Sequence, residues 1–329
     1  MAETRGGLIL GVDGGATKTI ALVATRRGEI VGAARNGSSD IHGRNVEQAL
    51  DNVVGAVREA IAAAGGAAKD VTAAVMSLCG ADWPEDFDVY LGALRERVPL
   101  ATTPVVLNDG FGALRAGTPD GVGVAITVGT GLAIGARGPD GRRWHSGYWP
   151  EPAGAHELGR RALVAIVRAD LGIDDGTAMR GPALATVGVD SVEALLHAMT
   201  RLRPDPVPTD RLTPILLAAA ADGDGPARRI VAEAASRIAD YGLAAARAVG
   251  LVAGYPLVLA GGVLRHPSGV LEAAIASCMT GAGTVTRPDV EPAVGVLLLA
   301  FDEAGLVPDG DLLRATMPPA SLFETGSAS

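Results

Sequence analysis

The stretch Leu8-Ile9-Leu10-Gly11-Val12-Asp13-Gly14-Gly15-Ala16-Thr17-Lys18-Thr19 decides how the rest of the chain is read. An apolar run ends on a carboxylate and two glycines, and a second apolar run, Ile20 to Ala24, follows within a few residues. Arg26-Arg27-Gly28 separates that run from a third, Glu29 to Ala34. Three short runs joined by glycine-bearing turns predict an antiparallel meander. The period then changes. Val46, Ala49, Leu50, Val53, Val54, Val57, Ala60 and Ile61 recur at helical spacing, and Gly65-Gly66 stops the helix. Val71 to Leu78 predicts a strand, Phe87 to Arg97 a helix and Val105-Val106-Leu107 another strand. The order β-β-β-α-β-α-β makes a mixed sheet with helices on it.

The chain then begins the same pattern again. Gly121 to Val128 and Gly131 to Arg137 predict strands, and Pro139-Asp140-Gly141 turns the chain into a third around Arg143 to His145. The repetition is architectural, without a repeated sequence. From about Leu158 to Gly250 the periodicity is mostly helical, broken by Pro204-Asp205-Pro206-Val207-Pro208 and Asp222-Gly223-Asp224-Gly225. Leu257 to Ala260 returns to strand and meets Gly261-Gly262, and Glu291 to Ala304 predicts a last helix. The tail from about Val307 reads as irregular and frayed at its end.

Composition bounds the function. The 329 residues carry 28 basic and 37 acidic side chains, a formal net charge of −9, with 48% hydrophobic and 20% charged residues. That balance belongs to a globular chain long enough for two cores. Only two lysines occur, Lys18 and Lys69, and no run of like charges offers a nucleic acid or an anionic membrane a landing surface. Cys79 and Cys278 are too few for a disulfide framework. The N-terminus lacks the regions of a signal peptide, and no apolar run approaches the roughly 20 residues that span a bilayer. The expectation is a cytoplasmic protein with neither nucleic acid nor membrane as partner. An anion bound by such a chain needs a local device.

Three glycine-rich turns offer that device, each following an apolar run: Asp13-Gly14-Gly15-Ala16-Thr17-Lys18-Thr19, Gly129-Thr130-Gly131 and Gly261-Gly262. Glycine permits positive φ and close approach to a ligand, and successive N–H groups form an anion-binding concavity without a basic side chain. An acid at the start of the first turn, Asp13, suits a hydrated Mg²⁺, which takes few protein ligands. Thr17 adds a hydroxyl and Lys18 a charge. Taken singly, each turn reads first as a tight hairpin whose glycines serve only steric needs. Their joint occurrence on the strand ends of two similar modules raises the signal.

On these residues the chain resembles the superfamily of actin, the heat-shock chaperones and hexokinase. Asp13 to Thr19 is similar to its first phosphate motif, Gly129-Thr130-Gly131 to its second, and Leu259-Ala260-Gly261-Gly262-Val263 to its adenosine motif. Gly80-Ala81-Asp82-Trp83-Pro84-Glu85-Asp86 and Asn108-Asp109 resemble the branch that holds the N-acetylglucosamine kinases and the activator ATPases of benzoyl-CoA reductase. The resemblance runs from about Leu8 to Ala304. It implies an α/β fold of two ribonuclease-H-like (actin-like ATPase) domains, each a mixed five-stranded sheet with helices on both faces, and a nucleotide cleft between them. The expected division is 1–115, 116–290 with a helical insertion, and 291–306 as a helix returning to the first domain.

The resemblance also implies roles. ATP is gripped by Gly14, Gly15, Thr17, Lys18, Gly129, Thr130, Gly131, Gly261 and Gly262, and Mg²⁺ is held through Asp13. The resemblance makes Asp109 the general base for a sugar hydroxyl; on the sequence alone the cap of a helix starting at Gly110 is the better reading, and the two roles are compatible. Asp40, Asp82, Asp109 and Glu151 are expected at the sugar, and a homodimer is usual for the branch. Pro150-Glu151-Pro152-Ala153-Gly154 stands where the branch has Gly-Asp-Glu-Gly-Ser, and Leu132 stands where a polar residue is common. The implied activity is transfer of the ATP γ-phosphate to the 6-hydroxyl of a hexosamine, N-acetylglucosamine first. The alternatives are a glucosamine or other amino-sugar kinase, which so acidic a pocket would suit, and a nucleotide- and sugar-binding sensor without turnover. An activator ATPase would need cluster-binding thiolates, and Cys79 and Cys278 do not fall where that branch keeps them. The five histidines read as scattered, Cys79 as packed and inert, and Trp83 and Trp149 as sugar platforms or core.

Overall fold

The computed structural model describes residues 7–43, 45–147, 149, 153–201 and 206–323. The first sheet is built from β1 (Leu8–Gly14), β2 (Thr19–Thr25), β3 (Ile30–Asn36), β4 (Val71–Leu78) and β5 (Val105–Asn108), in the order β3-β2-β1-β4-β5. The meander β1-β2-β3 is antiparallel, and β4 and β5 add parallel strands beyond β1. The second sheet repeats this plan with β6 (Gly123–Val128), β7 (Leu132–Arg137), β8 (Arg143–His145), β9 (Tyr255–Ala260) and β10 (Ala282–Thr286), in the order β10-β9-β6-β7-β8. Two mixed five-stranded sheets of the same topology are the α/β architecture that the sequence predicts.

Helix α1 (Val46–Ala63) starts where the Asn45 side chain accepts a hydrogen bond from the Gln48 amide, and it ends just before Gly65, at φ 66°. It and α2 (Pro84–Arg97) cover one face of the first sheet, with Leu50, Val53, Val57, Ile61, Tyr90 and Leu94 buried between. Helices α4 (Ala155–Asp170), α5 (Arg180–Val187), α6 (Val192–Thr200), α7 (Thr213–Ala221) and α8 (Gly225–Ala248) form the long helical stretch and share one core with the second sheet. Helix α9 (Val270–Cys278) and strand β10 escape the sequence reading, because Ala282 to Thr286 is short, largely exposed and flanked by glycine.

The third core lies between the sheets. Helices α3 (Gly110–Gly117) and α10 (Pro292–Glu303) bury Phe111, Leu114, Val296, Leu297 and Phe301 against Ile9, Leu22 and Val75 of one sheet and Ala125 and Val258 of the other. Glycine lets the two helices cross at backbone distance. A Cβ on Gly295 would lie 2.0 Å from the Gly112 carbonyl oxygen, and one on Gly11 would lie 2.5 Å from the Leu297 nitrogen. The tail departs from expectation. Instead of running irregular from Val307, it forms α11 (Gly310–Ala315), capped by Asp309, and stays docked on the first sheet as far as Phe323, which is buried; the end expected to fray lies outside the described residues. Leu313 and Phe323 supply the apolar anchors that a reading by composition passes over.

The crossing makes a stability prediction. Gly295→Ala forces a methyl into the Gly112 carbonyl and costs about 1–3 kcal/mol in urea unfolding. Gly92→Ala, on the exposed side of α2 with nothing near the added carbon, is neutral or gains up to about 1 kcal/mol. Equal unfolding midpoints for both variants would contradict the close approach.

Candidate active site

The three glycine turns stand where the sequence puts them, at the ends of β1, β6 and β9. In the first, the Gly15 amide donates to the Lys18 carbonyl at 2.8 Å, while Cys79 and Ser39 amides donate to the Gly14 and Gly15 carbonyls at 2.7 and 3.1 Å. A Cβ on Gly14 would meet the Ser39 hydroxyl at 2.5 Å, so this glycine is required by packing. Ala16 and Thr17 form the exposed tip. In the second, Gly129 donates to Gly131 at 2.9 Å, and the Ala155 amide at the start of α4 donates to Gly129 at 2.8 Å. Gly154 packs so tightly that its Cβ would lie 2.2 Å from the Thr130 carbonyl oxygen. The outward sides of Gly129, Gly131 and Gly262 face open space, which leaves their backbones approachable. Positive φ, expected of these turns, occurs only at Gly261, at 100°. There a Cβ would also strike the Val128 carbonyl oxygen at 2.3 Å, while the Val263 amide donates to that oxygen at 3.1 Å. The third turn is thereby tied to the strand that leads into the second.

Asp109 lies between the end of β5 and the first residue of α3, at the helix's N-cap position. It does not cap the helix: its side chain accepts no bond from the first turn. That duty falls to Asn108, whose Oδ1 accepts from the Gly110 amide at 3.3 Å. The Asn108 Nδ2 donates to Asp82 Oδ1 at 2.8 Å, and its carbonyl accepts from the buried Ser77 hydroxyl at 2.7 Å. Asp109 therefore spends no carboxylate oxygen on capping α3, and its side chain is hydrogen-bonded instead with the Cys79 thiol. Burial pushes its pKa up to about 7, and Asp13, Asp82 and Asp40 add to the rise. A carboxylate tuned to near neutrality is the usual condition of a general base.

Asp40 and Asp82 gather on the same side. Asp40 Oδ1 accepts from the His42 amide at 2.9 Å and lies against Gly80, whose Cβ would be 3.1 Å from it. Gly80 has φ 87°, so the turn after β4 demands glycine. Tyr90, fully buried, donates to the Ser39 carbonyl at 2.6 Å and pins the two loops together. Asp86 accepts from the amides of Asp82 and Trp83 at 3.1 and 2.8 Å and pairs with His42 Nε2 at 3.0 Å. Burial raises the pKa of Asp82, with help from Asp86 and Asp40. The bond to Asp86 raises that of His42.

His42, Asp86 and Asn108 are thus site-building residues: Asp86 and Asn108 stand in the quoted motifs without an assigned role, and His42 has no local signal. The segment after β8 closes on this group from the second sheet: a Cβ on Gly147 would lie 2.0 Å from Asp82 Oδ1 and 3.0 Å from Asn108 Nδ2. Glu151, expected at the sugar, lies outside the described residues. Trp83 and Trp149 are about half exposed, at 48% and 52%, which removes the core reading for both. Cys79, read as merely packed, lies at the cleft beside Asp109, and burial together with Asp109, Asp40 and Asp82 drives its thiol pKa well up, so it stays neutral.

Asp13 occupies the cleft floor near Gly112 of α3. Burial pushes its pKa up to about 7; Lys18 draws it down and Glu291 raises it. Glu291, just ahead of α10, pairs with Arg265 at 3.1 Å and so links the loop after β9 to the helix that packs on β1. Burial lowers the pKa of Lys18. A buried carboxylate with one nearby ammonium is a hard oxygen donor in want of positive charge. That fits a hydrated Mg²⁺ that keeps most of its waters.

Residues 10–300 match the model of the BadF/BadG/BcrA/BcrD ATPase family. A protein described as an N-acetylmuramic acid/N-acetylglucosamine kinase, from Clostridium acetobutylicum, is 24% identical over 234 residues, which cover 70% of this chain and 76% of that one. A candidate N-acetylglucosamine kinase from Chromobacterium violaceum has a TM-score of 0.68 at 23% identity, over 89% of this chain and 99% of its own. A ROK family glucokinase from Streptomyces griseus, in complex with glucose and AMPPNP, has a TM-score of 0.56 at 20% identity, over 90% of this chain and all of its own, 100%. At such identities the structural likeness speaks for the fold alone.

The raised Asp109 pKa gives stability a definite pH dependence. The unfolded carboxyl loses its proton near 3.8 and the folded one near 7, so folding takes up a proton between these values and stability falls as pH climbs through them. Asp109→Asn removes that penalty. Without ligands, the variant is more stable than wild type at pH 8, on the order of 1–4 kcal/mol, and the gain vanishes by about pH 4. A constant difference across the range in thermal melts would rule out burial as the cause.

Proposed function

The chain belongs to the BadF/BadG/BcrA/BcrD ATPase family, and from that premise we propose that it is an ATP-dependent sugar kinase, transferring the γ-phosphate to the 6-hydroxyl of a hexosamine, with N-acetylglucosamine as the first candidate. The observation that carries this reading is the uncapped Asp109 carboxylate, tuned to about pH 7, at the floor of a cleft walled by three glycine turns. A relative described as an N-acetylmuramic acid/N-acetylglucosamine kinase and neighbours described as hexose or hexosamine kinases support it.

In this mechanism the backbones of Gly14, Gly15, Gly129, Thr130 and Gly131 line the phosphates, and Gly261 and Gly262 lie along the nucleoside. Phosphoryl transfer needs little covalent help from a protein, so alignment and electrostatics dominate. Asp109 accepts the proton of the attacking hydroxyl at its carboxylate. Asn108 and Asp82 hold the strand end from which Asp109 projects, and Asp40 joins Asp82 in orienting the ring hydroxyls. Asp13 would hold Mg²⁺ through water, and the ion supplies charge that offsets the phosphates. The contact of Gly147 with Asp82 and Asn108 narrows the sugar end of the cleft and excludes water, which favours the sugar over hydrolysis.

A second reading rests on the charge of that pocket. Asp40 and Asp86 add to the raised pKa of Asp82, Asp82 and Asp40 add to that of Asp109, and the ammonium of a free amino sugar would offset this crowding. An activator ATPase finds less support: Cys79 is sunk beside Asp109, and Cys278 ends α9 on the other sheet's side.

A coupled assay over hexoses and amino sugars tests these readings. N-acetylglucosamine turns over with kcat/KM rising as pH climbs through about 7, and Asp109→Asn lowers kcat by about 10²–10⁴ while KM for ATP stays within about threefold. Preference for glucosamine would select the second reading. Wild-type turnover by the variant would remove Asp109 as base, and inactivity on the whole panel with intact ATP binding would leave a sensor.

A further inference from the structure

The segment after α10 runs along the β2–β3 hairpin from its far tip to the first glycine turn. At the tip, the Asp309 amide donates to the Arg27 carbonyl at 2.8 Å, and Gly28 is held against Pro308. Where β3 begins, the Ile30 amide donates to the Thr316 hydroxyl at 2.9 Å. Where β3 ends, the Arg35 guanidinium donates to the Leu322 carbonyl at 3.4 Å. One residue later the Phe323 carbonyl accepts from Lys18 Nζ. The Phe323 ring, 7% exposed, is buried in the core that holds Ile20 and Leu22 of β2, with Met317 and Leu322 packed against it. Four polar contacts in register and a buried aromatic anchor make this a strap, fixed at both ends.

Its terminus meets an unusual residue. Lys18 is one of two lysines in the chain and the single cation within the first glycine turn. Its ammonium is half-buried among charges of both signs, with Glu291 and Asp13 attracting it and Arg35 and Arg265 repelling it. A lysine stem has four rotatable bonds, and carboxylates on one side would draw it out of the cleft's phosphate end. The Phe323 carbonyl takes one of the three N–H donors and leaves two for a ligand.

We infer that the C-terminal strap is part of the nucleotide site, with Phe323 the positioning residue that holds the Lys18 ammonium ready for the phosphates of a bound nucleoside triphosphate. This rests on the reading of the glycine turns as a phosphate site. The strap lowers the entropy that Lys18 loses on binding and keeps Asp13 and Glu291 from capturing it.

Calorimetry with Mg²⁺ and the non-hydrolysable ATP analogue AMPPNP tests this in a double-mutant cycle. The variants are Phe323→Ala and a chain ending after Pro318, each alone and combined with Lys18→Met, with melting temperatures recorded for all. Either strap change weakens binding about three- to tenfold when Lys18 is present, and by less than about 1.5-fold in the Lys18→Met background. Phe323→Leu, which keeps an apolar anchor, restores most of the affinity and serves if the shortened chain does not fold. Equal losses in both backgrounds would reduce the strap to a stability element and overturn the inference, as would unchanged or tighter binding with Lys18 present. A folded wild type that gives no heat with the analogue would instead sink the nucleotide reading, and the inference with it.

Discussion

Contact between the backbones of α3 and α10 is the constraint on which the cleft depends. Gly112 and Gly295 bring the two helices so close that neither position has room for a methyl group, and Gly11 admits α10 equally closely against β1. Both helices then bury their apolar sides against both sheets at once, so the two modules share one core at the base of the cleft. Asp13 sits beside Gly112, and Asp109 immediately precedes the same helix, which means that this close packing also sets the spacing of the two carboxylates that burial pushes highest. Any relative motion of the sheets must hinge about this crossing. Packed backbones change by rotation more readily than by separation, because interiors at crystal-like density resist small gaps.

The same compactness creates an electrostatic debt. Asp13 and Asp109 are both pushed to about 7 by burial, and Asp82 follows in the same direction. Carboxylates held this way weaken the free protein near neutral pH and gain from whatever positive charge enters the cleft. A protein of net charge −9 with only two lysines does not supply that charge in bulk. It supplies it locally, through Lys18 and the Arg265–Glu291 pair, and otherwise through backbone N–H groups. Ligand binding and stability are therefore linked in sign: what offsets the acids tightens the fold.

The architecture was legible in the sequence because its signals are local. Alternating apolar runs, glycine turns at strand ends and the spacing in α1 each depend on neighbours within a few residues, so two modules of like order could be read before any contact was known. Asp109 was legible as an ambiguity between cap and base, and only the structure shows Asn108 taking the cap. What stayed hidden is long-range. His42 looked like one of five scattered histidines, yet it meets Asp86 across 44 positions, and Asn108 meets Asp82 across 26. The strap hides for the same reason, since a proline-rich tail has no period, and its order comes from β3 and Lys18, some 300 residues away. The glycine argument from positive φ holds at Gly261 alone among these turns, while Gly14 is fixed by its packing on Ser39, a contact no local pattern reveals.

The two ends of the cleft are built on different chemistry, and this explains why sequence departures fall where they do. The end proposed for the phosphates is made of main chain, closed by Gly15–Lys18 and Gly129–Gly131 bonds that depend on glycine and strand register, so few substitutions are compatible with it. The end proposed for the sugar is made of side chains on loops: Asp40 after β3, Asp82 between β4 and α2, and the segment around Gly147 after β8. Those loops are held from behind by Tyr90 and Asp86, neither of which depends on which sugar occupies the cleft. Side chains at the front can therefore change without loosening the loops that carry them. On the proposed reading, a chain of this construction keeps its nucleotide turns while its acceptor changes, and Leu132, paired with Val128 in the strands flanking the second turn, leaves the Gly129–Gly131 bond in place.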